Sequence, residues 1–191
     1  MQERELHREV ESDIDFVLLT EEELKGQAWF RRGAATREML AKGKVLVKGK
    51  QIPWHLHPQG ILRRYSEGWP IADTATDTVA PFHHLIPHHS GKHRHQGGFS
   101  IFVLEGTGYT VIDGVRYDWE AGDLLLLPLQ PGGCEHQHFN TGDKPARWMA
   151  IPTNYSGDAV GGGGGQRENS PLWHKYYGAS MGPWVDQTKK K

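Results

Sequence analysis

The stretch GKHRHQGGFSIFVLEGTG, residues 91–108, sets two histidines one residue apart before an apolar run and a glycine turn. Side chains alternate along a strand, so His93 and His95 share a face. Imidazole is a neutral ligand that suits Fe, Zn, Cu or Ni. Farther on, PGGCEHQHFN (131–140) carries His136 and His138, which also share a parity. If both pairs face the inside of a closed sheet, up to four imidazoles converge. Two histidines from one strand and a third from a neighbour make a facial triad with open positions. Eight of the 12 histidines fall between His83 and His138, which makes this region the centre of functional interest.

From about Val79 the chain reads as short strands. APFHHLIP, FSIFVLEG, GYTVIDG, VRYDWEAG, DLLLLPL, CEHQHFN and RWMAIP are mostly punctuated by Gly, Pro, Asn or Asp. Asp113-Gly114 is a hairpin signal, because both residues tolerate the positive φ of a tight turn. Many short strands without alternating helices indicate an all-β sandwich or small barrel. Upstream, Thr20–Lys44 is expected to be helical, with Thr20 and Glu23 as a capping box. Leu24, Ala28, Ala35 and Met39 could line one helical face. Residues 44–75, with IPWHLHPQG and RRYSEGWP, read as extended chain and turns. After Pro152 comes the flexible loop GDAVGGGGGQ, then an aromatic tail, SPLWHKYYGASMGPWV, expected to pack on something. The division expected is an N-terminal arm with one helix (1–75), a β-barrel core (76–155) and a Gly-rich loop with a C-terminal extension (156–191).

Composition narrows the function. The 191 residues carry a formal charge of -1, with 37 % apolar and 24 % charged residues. No strong field argues for nucleic acid or an anionic membrane. No apolar run is long enough for a membrane span, and the acidic start does not read as a secretory signal. Cys134 is the single cysteine, so no intrachain disulfide is expected and a reducing cytoplasm is the expected setting.

The order His93-x-His95, VLEGTG, AGDLLLLP and then Pro131-x-Gly133-x-x-His136-x-x-x-Asn140 resembles the two motifs of the cupin superfamily. Gly122 and Pro128 fit the approach to the second motif, with a few extra residues near Leu129 and Gln130. The resemblance covers about residues 79–152 and implies a single-domain double-stranded β-helix, or jelly-roll barrel, with an N-terminal helical arm. It implies His93, His95 and His136 as metal ligands. The glutamate that usually completes the first motif is replaced by Phe99, which cannot bind a metal. The first shell would then be three neutral imidazoles, with room for a bidentate anionic substrate. That pattern is similar to the gentisate and salicylate dioxygenases, cupins that use Fe(II) and O₂ to open an aromatic ring. Those enzymes are usually longer and carry two cupin domains.

The function implied is an Fe(II)-dependent dioxygenase that cleaves a C–C bond in a small hydroxylated aromatic acid or related enolic compound. Mn, Zn or Ni are the alternative metals. A non-oxidative metal cupin (isomerase, lyase or hydrolase) and a non-catalytic small-molecule-binding cupin are the competing readings. A homodimer or larger homo-oligomer is expected. His138 is assigned to the catalytic surroundings, as an alternative ligand, a neighbour of the ligands or a substrate contact, with the last two favoured. Cys134 is expected to be a small packing residue. Of the neighbours His83 and His84, at most one can face inward, and His88 and His89 read mainly as loop surface. His55 and His57 form a second HxH without a downstream partner motif and are treated as structural. A carboxylate calls for an arginine, and Arg63, Arg64, Arg116 and Arg147 are the candidates. Arg147 is taken as the substrate contact, with Phe99 and Trp148 as pocket wall. Arg147 and Trp148 are adjacent on one strand, so only one of them can point inward.

Overall fold

Alternation is clearest in FSIFVLE, where Phe99, Ile101 and Val103 are buried and Phe102 is exposed. That pattern belongs to a strand with one face on a core and the other toward solvent. The computed structural model describes residues 6–9, 14–20, 23, 42–66, 71, 73–75, 79–95, 97–152 and 165–178. Its strands are β1 (Leu6–Glu9), β2 (Ile14–Val17), β3 (Trp54–His57), β4 (Gly60–Arg64), β5 (Phe82–Ile86), β6 (Lys92–His95), β7 (Phe99–Glu105), β8 (Thr107–Ile112), β9 (Val115–Glu120), β10 (Leu124–Leu127), β11 (Cys134–Asn140), β12 (Ala146–Pro152) and β13 (Gly165–Glu168). One short helix, α1 (Pro171–Tyr177), follows β13.

The strands form an eight-stranded sheet, β1-β2-β3-β4-β5-β12-β7-β10, and a five-stranded sheet, β13-β6-β11-β8-β9. The core between them joins Leu62, Phe82, Ile86, Phe99, Ile101, Trp148 and Ala150 of the large sheet to Ile112 and Cys134 of the small one. This is the all-β, two-sheet architecture that the sequence led us to expect. The β8–β9 turn is the expected two-residue hairpin. Ile112 pairs with Val115, and Asp113 and Gly114 have φ of 46° and 87°.

Each of the seven strands read from 79 to 152 is present. Segments read as less regular also join the sheets. β3 and β4 come from residues 44–75, and β4 pairs with β5 in register Leu62 to His84. The large sheet therefore crosses the boundary expected at residue 75. Beyond it, β13 pairs with β6 through Gln166 opposite His93. The capping box forms: Thr20 N–H donates to Glu23 Oε2 at 2.9 Å, and Glu23 N–H donates to Thr20 Oγ1 at 3.3 Å. The helix expected to follow it lies outside the described residues.

The outer face of the large sheet has its own cover. Leu56, Ile61 and Leu85 point away from the barrel and pack with Phe16, Val17, Leu19, Trp54, Leu172 and Trp173. Helix α1 can sit there because Ser170 caps it, accepting from Trp173 N–H, and Pro171 opens its first turn. Gly178 (φ 66°) ends it. Trp173 is 1 % exposed, so Trp173→Ala should cost about 3–5 kcal/mol of stability, the range for truncating a buried large aromatic. Denaturant unfolding of the two proteins checks this.

Candidate metal centre

β6 and β11 are antiparallel neighbours, with His136 opposite His93 and Cys134 opposite His95. That register brings three imidazoles together. The ring centroids of His93 and His136 are 4.2 Å apart, and those of His95 and His136 are 4.5 Å apart. One nitrogen from each of the three rings lies within 4.8 Å of the others. All three residues are buried.

The hydrogen bonds decide what these rings can offer. His93 Nδ1 lies 3.1 Å from Gly91 O, and His136 Nδ1 lies 3.1 Å from Cys134 O. A carbonyl only accepts, so each Nδ1 carries the proton and each Nε2 keeps its lone pair. That is the tautomer a metal ligand needs. His95 differs, because Gly97 N–H donates to its Nδ1 at 3.1 Å. An ion on His95 Nε2 requires the proton on Nδ1, which gives up the Gly97 bond. The set is three neutral nitrogens, a chemistry that fits Fe, Zn, Ni or Cu better than Mg or Ca.

Burial keeps the rings neutral. Desolvation pushes His136 down to about 3, with neighbouring His138 adding to the effect. It holds His93 and His95 well below the usual imidazole value, with His136 as the next cause for both. Phe99 stacks on His95, centroids 4.3 Å apart at 26°. The residue in the slot of the missing glutamate therefore lies directly against a candidate ligand.

His138 sits beside the trio, 5.4 Å from His136 between centroids. Its Nδ1 is 2.8 Å from Thr110 Oγ1. Trp148 packs against His138 and His84, with centroids at 4.8 and 4.6 Å. Cys134 is fully buried. Burial, with Asp113 adding, pushes its thiol up to about 12.

Arg147 is not brought to this cluster. It pairs with Glu105, Nε donating to Oε2 at 3.1 Å, because Trp148 takes the inward parity on β12. Arg63 lies over Trp54 at 4.4 Å, and Arg116 pairs with Asp118 at 2.6 Å. Of the four candidate arginines, Arg64 is the one carried inside. It is 3 % exposed, opposite Phe82 in register and 5.1 Å from that ring.

The barrel also holds His55 and His57, treated as structural from the sequence, and His84, the inward-facing member of the His83–His84 pair; all three are buried. Desolvation, with Arg64 next, lowers His55 to about 3 and His57 well below the usual value. His84 also falls to about 3, through desolvation and then His93. His84 Nε2 lies 3.0 Å from Gln59 O. The signal available was the pairing of β3 with β4 and of β4 with β5, which gives His55, Leu62, Arg64 and His84 one facing. It was not visible while residues 44–75 read as irregular. Thr110 had no signal, since a threonine on a strand is ordinary. His83 faces outward, stacked on Trp54 and 3.3 Å from Tyr65 Oη. His88 is exposed.

Residues 82–152 match the Cupin_2 family, a cupin domain, so this part of the chain is a cupin domain, and it resembles the gentisate and salicylate dioxygenases. A 5-aminosalicylate 1,2-dioxygenase from a Comamonas species is 37 % identical over 59 residues, 31 % of this chain and 15 % of that protein. A salicylate 1,2-dioxygenase from Pseudaminobacter salicylatoxidans is similar in structure, with a TM-score of 0.41 and 28 % identity over 55 % of this chain and 29 % of that one. A Cupin 2 conserved barrel domain protein from Salinispora arenicola has a TM-score of 0.41 and 23 % identity, over 51 % of this chain and 78 % of its own. The chain thus spans under a third of the length of the dioxygenases it matches. Among the described residues no helix is long and apolar enough to cross a membrane.

The buried imidazoles set the acid response of the metal-free protein. An unfolded histidine titrates near 6.5, whereas His55, His84 and His136 titrate near 3 in the fold. The unfolded chain therefore binds more protons below pH 6.5. Stability is full above that value and falls as the pH drops toward about 3. Unfolding free energy measured from pH 7 to 5 should decline steadily. In His55→Phe the slope below pH 6 should be shallower by about 1.4 kcal/mol per pH unit.

Proposed function

We propose that the protein is an Fe(II)-dependent dioxygenase that cleaves a C–C bond in a small hydroxylated aromatic acid, or a related enolic compound, with O₂. The observation that carries this reading is the donor set. His93, His95 and His136 converge, and Phe99 packs on His95 in the slot where a glutamate would stand. An ion held by three neutral rings keeps its full charge and more open positions, which suits a bidentate anionic substrate. The 59-residue match to an enzyme named for 5-aminosalicylate, itself a hydroxylated aromatic acid, supports the substrate class.

Each residue then has a task. His93, His95 and His136 hold the ion. Bound there, the ion supplies Lewis acidity and a path for electrons between the organic substrate and dioxygen. Arg64 is the cation placed to meet a carboxylate, the role that Arg147 cannot take from the outer face. Phe82, Phe99 and Trp148 wall the site with aromatic surface and exclude water. His138 adjoins both the trio and Trp148 and contacts the bound substrate.

Oxygen uptake by protein reconstituted anaerobically with Fe(II), offered gentisate, salicylates, hydroxynaphthoates, catechols and β-diketones, tests the reading. Substrate-dependent uptake with a shifted ultraviolet spectrum is expected. Bound metal with no uptake on any of them favours a non-oxidative metal cupin. His93→Ala and His136→Ala should each lose stoichiometric metal, and retention in both variants sinks the ligand set. Phe99→Glu should tighten metal binding and suppress uptake, and unchanged activity would show that Phe99 does not occupy the ligand slot.

A further inference from the structure

The buried hydrogen bonds behind His138 converge on Thr110, whose side chain is fully buried. Trp119 Nε1 donates to Thr110 Oγ1 at 2.9 Å, and the same oxygen is 2.8 Å from His138 Nδ1. An indole N–H only donates, so it occupies one lone pair of the hydroxyl. Among the described residues His138 Nδ1 is the only other partner of this buried oxygen, so the hydroxyl proton is satisfied only by donation to Nδ1, which accepts it. A neutral imidazole that accepts at Nδ1 carries its own proton on Nε2. This is the reverse of His93 and His136, whose Nδ1 atoms face the carbonyls of Gly91 and Cys134.

We propose that Thr110, backed by Trp119, fixes His138 as its Nε2–H tautomer, so that His138 is a hydrogen-bond donor to a ligand at the three-histidine site and not a fourth metal ligand. Thr110 is then a positioning residue that acts through His138. With the opposite tautomer His138 would present a lone pair, which repels a ligand oxygen and competes for the ion.

A second observation points to the same kind of ligand. The Trp148 ring lies 4.8 Å from that of His138. Its Nε1 is buried and makes no hydrogen bond among the described residues. Buried donors are rarely left without an acceptor, and one beside a candidate site calls for a ligand atom. Neighbouring N–H donors from His138 and Trp148 suit an oxygen-rich, anionic group such as a carboxylate or phenolate. The tautomer assignment stands on the hydrogen bonds alone, while the naming of the acceptor rests on the dioxygenase reading.

The test uses the full chain, metal-free and labelled with ¹⁵N-histidine. Long-range ¹H–¹⁵N correlation reports which nitrogen of each ring is protonated, and a His138→Gln spectrum assigns the His138 signals. The expected result is Nε2–H for His138 and Nδ1–H for His93 and His136. Thr110→Ser keeps the hydroxyl and should keep the pattern. Thr110→Val should lose the Nε2–H signature of His138. An Nδ1–H tautomer for His138 in the unaltered protein overturns the proposal, as does an unchanged pattern in a folded Thr110→Val. If that variant does not fold, the unaltered protein and Thr110→Ser still decide. In the Fe(II)-loaded protein, Thr110→Val should raise KM about tenfold, the loss of one hydrogen bond to a charged group, at unchanged metal content, with Thr110→Ser restoring it. Absence of all activity would count against the dioxygenase reading and leave the spectra to judge the tautomer.

Discussion

Everything at the centre depends on the register of β6 against β11. With His136 opposite His93, the inward positions of two adjacent strands hold all three rings. A slip of one residue in β6 would turn His93 and His95 to the outer face, away from His136. The outward positions resist that slip through charge. Lys92 reaches Glu135 at 3.0 Å, and Arg94 stands directly opposite Glu135. Asp113, at the tip of the β8–β9 hairpin, accepts from Glu135 N–H at 3.0 Å and donates its own N–H to Glu135 O at 2.8 Å. Exposed ion pairs contribute little stability individually. Here they cost nothing in the right register and are lost in the wrong one, so they select rather than stabilise.

The same burial that assembles the rings governs their charge. Imidazoles face one another across the barrel, His84 against His138 with centroids 6.4 Å apart. Adding protons to such a set is opposed first by desolvation and then by mutual repulsion, so the interior stays neutral. Among the described residues no aspartate or glutamate is buried. An ion held by three imidazoles would therefore keep its charge undiminished by any described buried carboxylate, and Arg64 adds a positive group beside His55, His57 and His84. Under the proposed reading, this lack of buried negative charge is what suits the interior to an anion.

The parts legible in the sequence were those where one strand carries its own signal. HxH parity placed His93 with His95 and His136 with His138, and the Asp113-Gly114 pair placed a hairpin. The exclusive facing of Arg147 and Trp148 was legible as a rule, but not which of them faces in. The bulge between those two residues and the Glu105 partner are properties of the neighbouring strand. His55, His57, Arg64 and His84 belong to the same category. Their facing is set by β3–β4–β5 pairing, and the short strands WHLH and GILRR lack the clean alternation that would announce it. β3 is buried at every position, since its outer face lies beneath Phe16 and α1. Burial on both faces erases the period on which sequence reading depends.

That cover explains why residues beyond the cupin motifs belong to the site's physics. Without β13, strand β6 would be the edge of the small sheet, and two of the three candidate ligands would sit on a strand with one side unpaired. Edge strands fray more readily than paired ones. Gln166 lies opposite His93 and sends its side-chain amide to Glu168 O at 2.7 Å. Ser170 N–H then donates to Pro58 O at 2.7 Å, in the turn between β3 and β4. Residues 165–178 thus run from the ligand strand of one sheet to the histidine-bearing hairpin of the other, ending in the helix that buries Trp173. Because both groups of imidazoles are tied to this one segment, loosening it should disturb the ligand strand and the opposite wall together, although no residue of the segment is a candidate ligand.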